Sequence, residues 1–368
     1  MKNFIPVFII ALALASCTEK PGLAVYSPTN EAYFSNSGRQ EAKDSSLVLI
    51  SAASRIAFRP SADTLTVFCR NDREEQHSYL SLAINKKYRG RFRINSDTLN
   101  HIALSLSEND TLVELYKATE ASTGNLLIEG IATRSLRPAP EKPDIRIEFI
   151  GNSITSGFGN DTEEIPCGEG TWYDQHNAFY SYATLAANQL DCDFLLSSVS
   201  GYGMYRNWNS DGPTLPEVYD KLYLDTNNPK SFTPEMFRPD LVSICLGTND
   251  LSDGDGTAER AEFDPDRFTE TYIRFVTRLA ATRPGAKIAL LDSPMVTGEK
   301  SVILQDCLKR VQQHFAKKGR KIYVFNFTPL EIGGCLGHPS IANDRNMASQ
   351  LLPFYRNILK DVNNVNNG

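Results

Sequence analysis

Four short blocks of the chain carry residues that together could open an ester: Gly151-Asn152-Ser153, Ser200-Gly201-Tyr202-Gly203, Gly247-Thr248-Asn249-Asp250 and His338-Pro339-Ser340. A serine needs a nearby base to attack a carbonyl at neutral pH, and His338 could serve Ser153 in that way. The anion formed on the carbonyl oxygen needs fixed donors. The backbone N–H groups of Ser153 and Gly201, with the side-chain amide of Asn249, would provide three. A glycine at 201 lets the main chain approach a substrate with no Cβ between them. Each residue also has a plainer use: Ser153 and Asn249 as helix N-caps, Gly201 as an ordinary turn glycine.

His176, in "EGTWYDQHNAFY", is the rival base, and its surroundings equally suit a substrate loop or a solvated histidine. His338 is preferred because it sits in a loop directly before the last helix, where its ring can face the other blocks. His77, His101 and His314 read as solvated or structural. Trp172, Trp208, Tyr202 and Tyr205 lie near the blocks; flat rings stack on sugar faces or simply fill a core. The acidic run 161–169 reads as a solvated loop.

These blocks need a frame that brings them together. "DIRIEFI", "DFLLSSVS", "DLVSICLG", "AKIALLD" and "KIYVFNF" read as strands with helical stretches between them. In the helix that starts after Asp264, residues Phe268, Tyr272, Phe275, Val276 and Leu279 share one face; Leu304, Leu308, Val311 and Phe315 do so in the next. Alternating strands and amphipathic helices predict a five-stranded parallel sheet covered on both faces, with its chemistry in loops at the carboxyl ends of the strands. From 46 to 136 the pattern differs. Short apolar or alternating runs, separated by turn residues such as "SEND" and "STGN", predict an all-β sandwich of jelly-roll type. "RPAPEKP", 137–143, marks the boundary with three prolines. The expected organisation is therefore a linker over 18–45, a sandwich over 46–136 and an α/β domain over 144–368.

The opening residues, "MKNFIPVFIIALALASC", join a lysine to an apolar run too short to cross a bilayer, which is the form of an export signal. Leu14-Ala15-Ser16-Cys17 resembles a bacterial lipobox, so Cys17 is expected to carry the lipid and tether the protein to a membrane outside the cytoplasm, at the outer membrane or cell surface. The 368 residues, 41% of them hydrophobic, are enough for two cores. A net charge of -6 without a long basic run argues against nucleic-acid partners. Cysteines 69, 167, 192, 245, 307 and 335 show no zinc-site spacing, and no structural metal is expected. Cys69 and Cys245, inside apolar runs, read as buried thiols, while an oxidising compartment permits bridges among the rest.

The four blocks, in this order, resemble the SGNH (GDSL-type) hydrolases over residues 144–360, with G-N-S where many relatives have G-D-S and with no G-x-S-x-G elbow. The domain order, together with "VELYKATEASTGNLLIEGI" and "FRPDLVSICLGTND", resembles carbohydrate esterase family two. The resemblance implies a three-layer α/β hydrolase domain. It also implies a cofactor-free serine esterase that removes O-acetyl groups from polysaccharides such as xylan and glucomannan. A lipase or thioesterase, or a non-catalytic glycan-binding lipoprotein, are the competing readings. One departure stands out: full-triad members carry aspartate three residues before the histidine, and that position in "GGCLGHPS" is Cys335. The resemblance then implies a Ser-His dyad, with a backbone carbonyl around Gly334 or Cys335 replacing the acid. Asp292 and Asp250 are the alternative acids.

Overall fold

The computed structural model describes residues 22–366 apart from 74, 75, 97 and 258, so the lipobox and Cys17 lie outside the described residues. The first strands are β1 (Ala24–Tyr26), β2 (Phe34–Ser37), β3 (Gln40–Lys43), β4 (Ser46–Leu49), β5 (Arg55–Pro60) and β6 (Thr64–Asn71). Then come β7 (His77–Ile84), β8 (Lys87–Asn95), β9 (Asn100–Ser105), β10 (Val113–Lys117), β11 (Leu126–Thr133) and β12 (Leu136–Arg137). They form two antiparallel sheets, one ordered β3-β4-β11-β6-β9 with β1 on β11, the other β12-β5-β10-β7-β8 with β2 on β5. Side chains alternate across each pleat. Leu49, Val67 and Ile128 of the first sheet meet Phe58, Leu82 and Leu115 of the second in one core.

The short apolar or alternating runs read between 46 and 136 form β4 to β11. The segment expected as a linker is not one from residue 24 onward, because β1, β2 and β3 each pair with a sandwich strand. Segments such as "FSNS" and "QEAK" carry no apolar alternation. Their strand state comes from backbone hydrogen bonds to edges that the rest of the sandwich supplies.

The second domain follows as β13 (Arg146–Gly151), α1 (Ser153–Ser156), α2 (Tyr182–Gln189), β14 (Asp193–Ser198), α3 (Leu215–Val218) and β15 (Leu241–Cys245). It ends with α4 (Pro265–Thr282), β16 (Lys287–Leu291), α5 (Gly298–Ala316), β17 (Tyr323–Phe325) and α6 (Ile341–Asn366). The sheet is parallel, in the order β14-β13-β15-β16-β17. Tyr182 and Ala183 of α2 and Met347, Leu351 and Tyr355 of α6 pack on Phe149 and Phe194. On the other face, Phe268 and Tyr272 of α4 and Leu304 and Leu308 of α5 cover Ile244 and Leu290. Asp264 caps α4, its carboxylate accepting from the amides of Asp266 and Arg267 at 3.0 and 2.9 Å.

A polar seam joins the domains. Arg39 is fully buried, donates to Ser197 Oγ and to the carbonyls of Tyr219 and Lys221, and lies 4.0 Å over the Phe232 ring. Arg55 pairs with Asp193 at 3.2 Å. His77 is buried in the same seam between Asp174 and Arg93, a structural place.

Candidate active site

Gly151 pairs with Ser198 on one side and with Cys245 on the other. The three strands therefore end at one level, and the segments holding Ser153, Gly201 and Asn249 leave the sheet side by side. This is the switch point of a doubly wound sheet, where the chain departs to opposite sides. Gly151 leaves room for Thr155: a Cβ there would fall 2.0 Å from Thr155 Oγ1 and 2.7 Å from its Cβ, so any larger residue would have to displace that threonine. Asn152 caps α1, its Oδ1 accepting from the Ile154 amide at 3.2 Å. Ser153 begins that one-turn helix and is 5% exposed.

His338 Nε2 lies 2.8 Å from Ser153 Oγ. Its Nδ1 lies 3.1 Å from the carbonyl of Leu336. The stand-in for the acid is thus the carbonyl of Leu336, one residue beyond Cys335 and two beyond Gly334. Leu336 reaches it by adopting a left-handed backbone, φ 52° and ψ 38°, which a leucine visits only where its surroundings fix it. Several links fix this loop. Cys335 is bonded to Cys167, the Cys335 amide donates to the Gly159 carbonyl at 2.9 Å, and the Gly334 amide donates to the His338 carbonyl at 2.8 Å. The run 161–169 is the largely exposed loop expected, yet it is tied down: Asp161 is buried on Asn177, Glu164 pairs with Arg91, and Cys167 carries the bridge. Cys69, Cys192, Cys245 and Cys307 are buried free thiols.

Both aspartates suggested as acids are engaged elsewhere. Asp292 accepts from the Phe327 amide and Gln305 Nε2, each at 2.8 Å. Asp250 is fully buried and accepts from the amides of Met204, Tyr205 and Arg206 at 2.8–3.2 Å. It therefore shapes the turn after Gly201. His176 is also fully buried, its Nδ1 accepting from the Gly159 amide at 3.4 Å; burial holds its pKa well below the usual value. It is packed against Phe158 and Trp172 rather than bonded to Ser153.

Burial also pulls His338 down to about 4, against the upward pull of the Leu336 and Cys335 carbonyls. Its imidazole is neutral at pH 7, a state that can accept the Ser153 proton. Gly201 has φ 79°, a left-handed backbone that suits glycine, and its carbonyl accepts from the Trp208 amide at 2.8 Å. Asn249 Nδ2 donates one proton to the Tyr202 carbonyl at 2.8 Å, which orients the amide and leaves a second proton to give. Arg260 bonds the carbonyls of both Asn249 and Trp208.

Trp172 and Trp208 are 49% and 43% exposed. Trp172 stacks on Phe158 at 5.8 Å, and Phe158 stacks on His338 at 4.2 Å, so an open indole continues from the histidine outward. Tyr202 is half-buried, lining a hollow with Arg73 and Tyr223 at the domain seam. Sequence reasoning missed Phe158, the bridge and the role of the Leu336 carbonyl. Phe158, five residues after the serine, gave the only local signal among them.

Residues 149–352 match the GDSL-like Lipase/Acylhydrolase family. An acetylxylan esterase / glucomannan deacetylase of Cellvibrio japonicus (strain Ueda107) is 29% identical over 254 residues, 67% of this chain and 69% of that one. A family two carbohydrate esterase structure from Cellvibrio japonicus superposes with a TM-score of 0.79 at 23% identity, covering 92% of this chain and 98% of that one. A second, from Clostridium thermocellum in complex with cellohexaose, gives 0.78 at 23% identity, over 89% and 99%. With a Ser-His pair and oriented amide donors at its sheet switch point, this chain belongs to the GDSL-like lipase/acylhydrolase family and is a carboxylic ester hydrolase.

Proposed function

We propose that the protein removes O-acetyl groups from polysaccharide or oligosaccharide of the xylan or glucomannan type, through an acetyl-enzyme intermediate. The observation that carries this reading is the 2.8 Å contact of His338 Nε2 with Ser153 Oγ, the other ring nitrogen being tied to a carbonyl. Ser153 Oγ attacks the acetyl carbonyl while its proton passes to Nε2. The oxygen that becomes negative faces the N–H groups of Ser153 and Gly201 and the free amide proton of Asn249. On collapse the C–O bond to the sugar breaks, and the sugar oxygen takes the proton from Nε2. Water then attacks acetyl-Ser153 with His338 again as base, and acetate leaves. The Leu336 carbonyl keeps the proton on Nδ1, so that Nε2 presents its lone pair to the serine.

The relatives named for acetylxylan and glucomannan support the substrate class, and the cellohexaose complex of a structural neighbour supports a sugar chain as partner. The half-exposed indoles of Trp172 and Trp208 suit sugar faces better than an acyl chain. Mass spectrometry of acetylated xylo-, manno- and gluco-oligosaccharides before and after treatment tests the reading. Loss of acetyl groups is expected. Faster turnover of 4-nitrophenyl octanoate than of the acetate would favour a lipase, and no turnover of either a binding module. Leu14-Ala15-Ser16-Cys17 supports a lipid anchor outside the cytoplasm. Cys17→Ala should release the protein from the membrane fraction of a bacterial host, and unchanged partitioning would refute the anchor.

A further inference from the structure

The sandwich strand β10 ends at Lys117, and the chain beyond it turns toward the hydrolase domain, where the Ala178 amide donates to the Ala118 carbonyl at 2.8 Å. Two residues on, Glu120 is fully buried, and its carboxylate lies against the second catalytic block. It accepts from the Ser200 amide at 3.2 and 3.1 Å, from Ser200 Oγ, and from Ser122 Oγ. Ser200 is the residue before Gly201.

We infer that Glu120, a residue of the sandwich domain, is a positioning residue for ester hydrolysis: it fixes Ser200 so that the next N–H, that of Gly201, points at the developing oxyanion. The turn is then clamped from both sides. Glu120 holds its upstream end, and Asp250 gathers the amides of residues 204–206 downstream. Between the clamps the chain passes through the positive φ of Gly201, a conformation that an unrestrained glycine leaves readily. A carboxylate suits this task because it accepts several bonds at once and donates none, whereas a neutral amide would present a donor to one of these partners. The placement is costly. Burial pushes the Glu120 carboxyl up and the Lys117 ammonium, bonded to the Glu120 main-chain carbonyl, down to about 7. Burying a charge with its hydrogen bonds filled, where the sandwich meets the oxyanion turn, is what a positioning role requires. On this view the sandwich is part of the catalytic apparatus and not an appended module.

The inference rests on the esterase reading of the site, and its test separates the two. Wild-type hydrolysis of 4-nitrophenyl acetate and its loss in Ser153→Ala establish the reading without reference to Glu120. Glu120→Ala should then lower kcat roughly ten- to a hundredfold, up to the lower range for deleting an oxyanion donor outright, with KM changed by no more than about threefold. Glu120→Gln keeps one acceptor oxygen for the Ser200 amide but turns an NH2 toward a hydroxyl, so it should recover part of the lost kcat and lie between Glu120→Ala and wild type. Ser200→Ala removes only the hydroxyl bond; it should lower kcat by about three- to tenfold and decides the matter if the Glu120→Ala protein fails to fold. A role confined to joining the domains would instead lower the melting temperature and leave kcat intact. Kcat within about twofold of wild type in Ser200→Ala, or in folded Glu120→Ala, overturns the inference.

Discussion

Protonating His338 is the simplest perturbation of a dyad that has no acid. Burial pulls this imidazole from 6.5 to about 4, and the carbonyls that oppose the shift bring no full negative charge. The difference weighs roughly 3 kcal/mol against the imidazolium. Because the pKa is lowered, the neutral, proton-accepting form persists as pH falls and is lost only on passing through about 4. At pH 5 a base of pKa about 4 is about nine-tenths neutral, whereas one at 6.5 is about 3% neutral. The ratio of kcat/KM at pH 5 to that at pH 7, which reports the free enzyme, should therefore stay above about one-half. The assay is release of 4-nitrophenol from the acetate, read at a wavelength where phenol and phenolate absorb equally. A parallel series with Glu120→Gln assigns any acid limb that disappears in the variant to Glu120. A ratio below about one-tenth that persists in Glu120→Gln would refute the absence of a charged partner and require a carboxylate beside Nδ1.

Asn249→Ala should lower kcat by roughly 10²–10³ with little change in KM, because the lost amide proton acts on the oxyanion and not on the bound ester; steady-state kinetics on 4-nitrophenyl acetate check this. Arg39→Ala leaves Ser197 Oγ and the carbonyls of Tyr219 and Lys221 without their donor across the seam and should cost about 3–5 kcal/mol of stability by urea unfolding; a loss under 1 kcal/mol would show that the seam does not depend on it. Trp172→Ala should raise KM for acetylated oligosaccharides while leaving 4-nitrophenyl acetate hydrolysis close to wild type, since the small ester does not reach the exposed indole.

Much of this was legible in the residues because the strong signals are local. The switch from alternating runs to amphipathic helices located both domains, and Phe268, Tyr272, Phe275, Val276 and Leu279 are all buried. Ser153, Gly201, Asn249 and His338 could be picked out because each follows a strand or precedes a helix at a set place. What escaped depends on partners distant in sequence. Cys167 and Cys335 are 168 residues apart, and six cysteines permit many pairings. The acceptor for Nδ1 is a carbonyl, which every residue has, so no side-chain pattern could single out Leu336. Asp250 lies beside Asn249 and was a fair candidate acid, but only three-dimensional geometry shows its oxygens taken by three amides. Strands β2 and β3 were missed because short polar strands carry no period, and β1 because three residues, Ala24–Tyr26, are too few to show one.

The most direct measurement is the rate of acetate release from an acetylated xylo-oligosaccharide by wild type, Ser153→Ala, His338→Ala and Asp292→Asn, each shown to be folded by circular dichroism. A Ser153-His338 dyad aligned by the Leu336 carbonyl predicts that both dyad variants fall to the buffer rate, while Asp292→Asn stays within about tenfold of wild type, roughly 1.4 kcal/mol of barrier. Substantial acetate release by Ser153→Ala, or a loss of several thousandfold in Asp292→Asn, would contradict it.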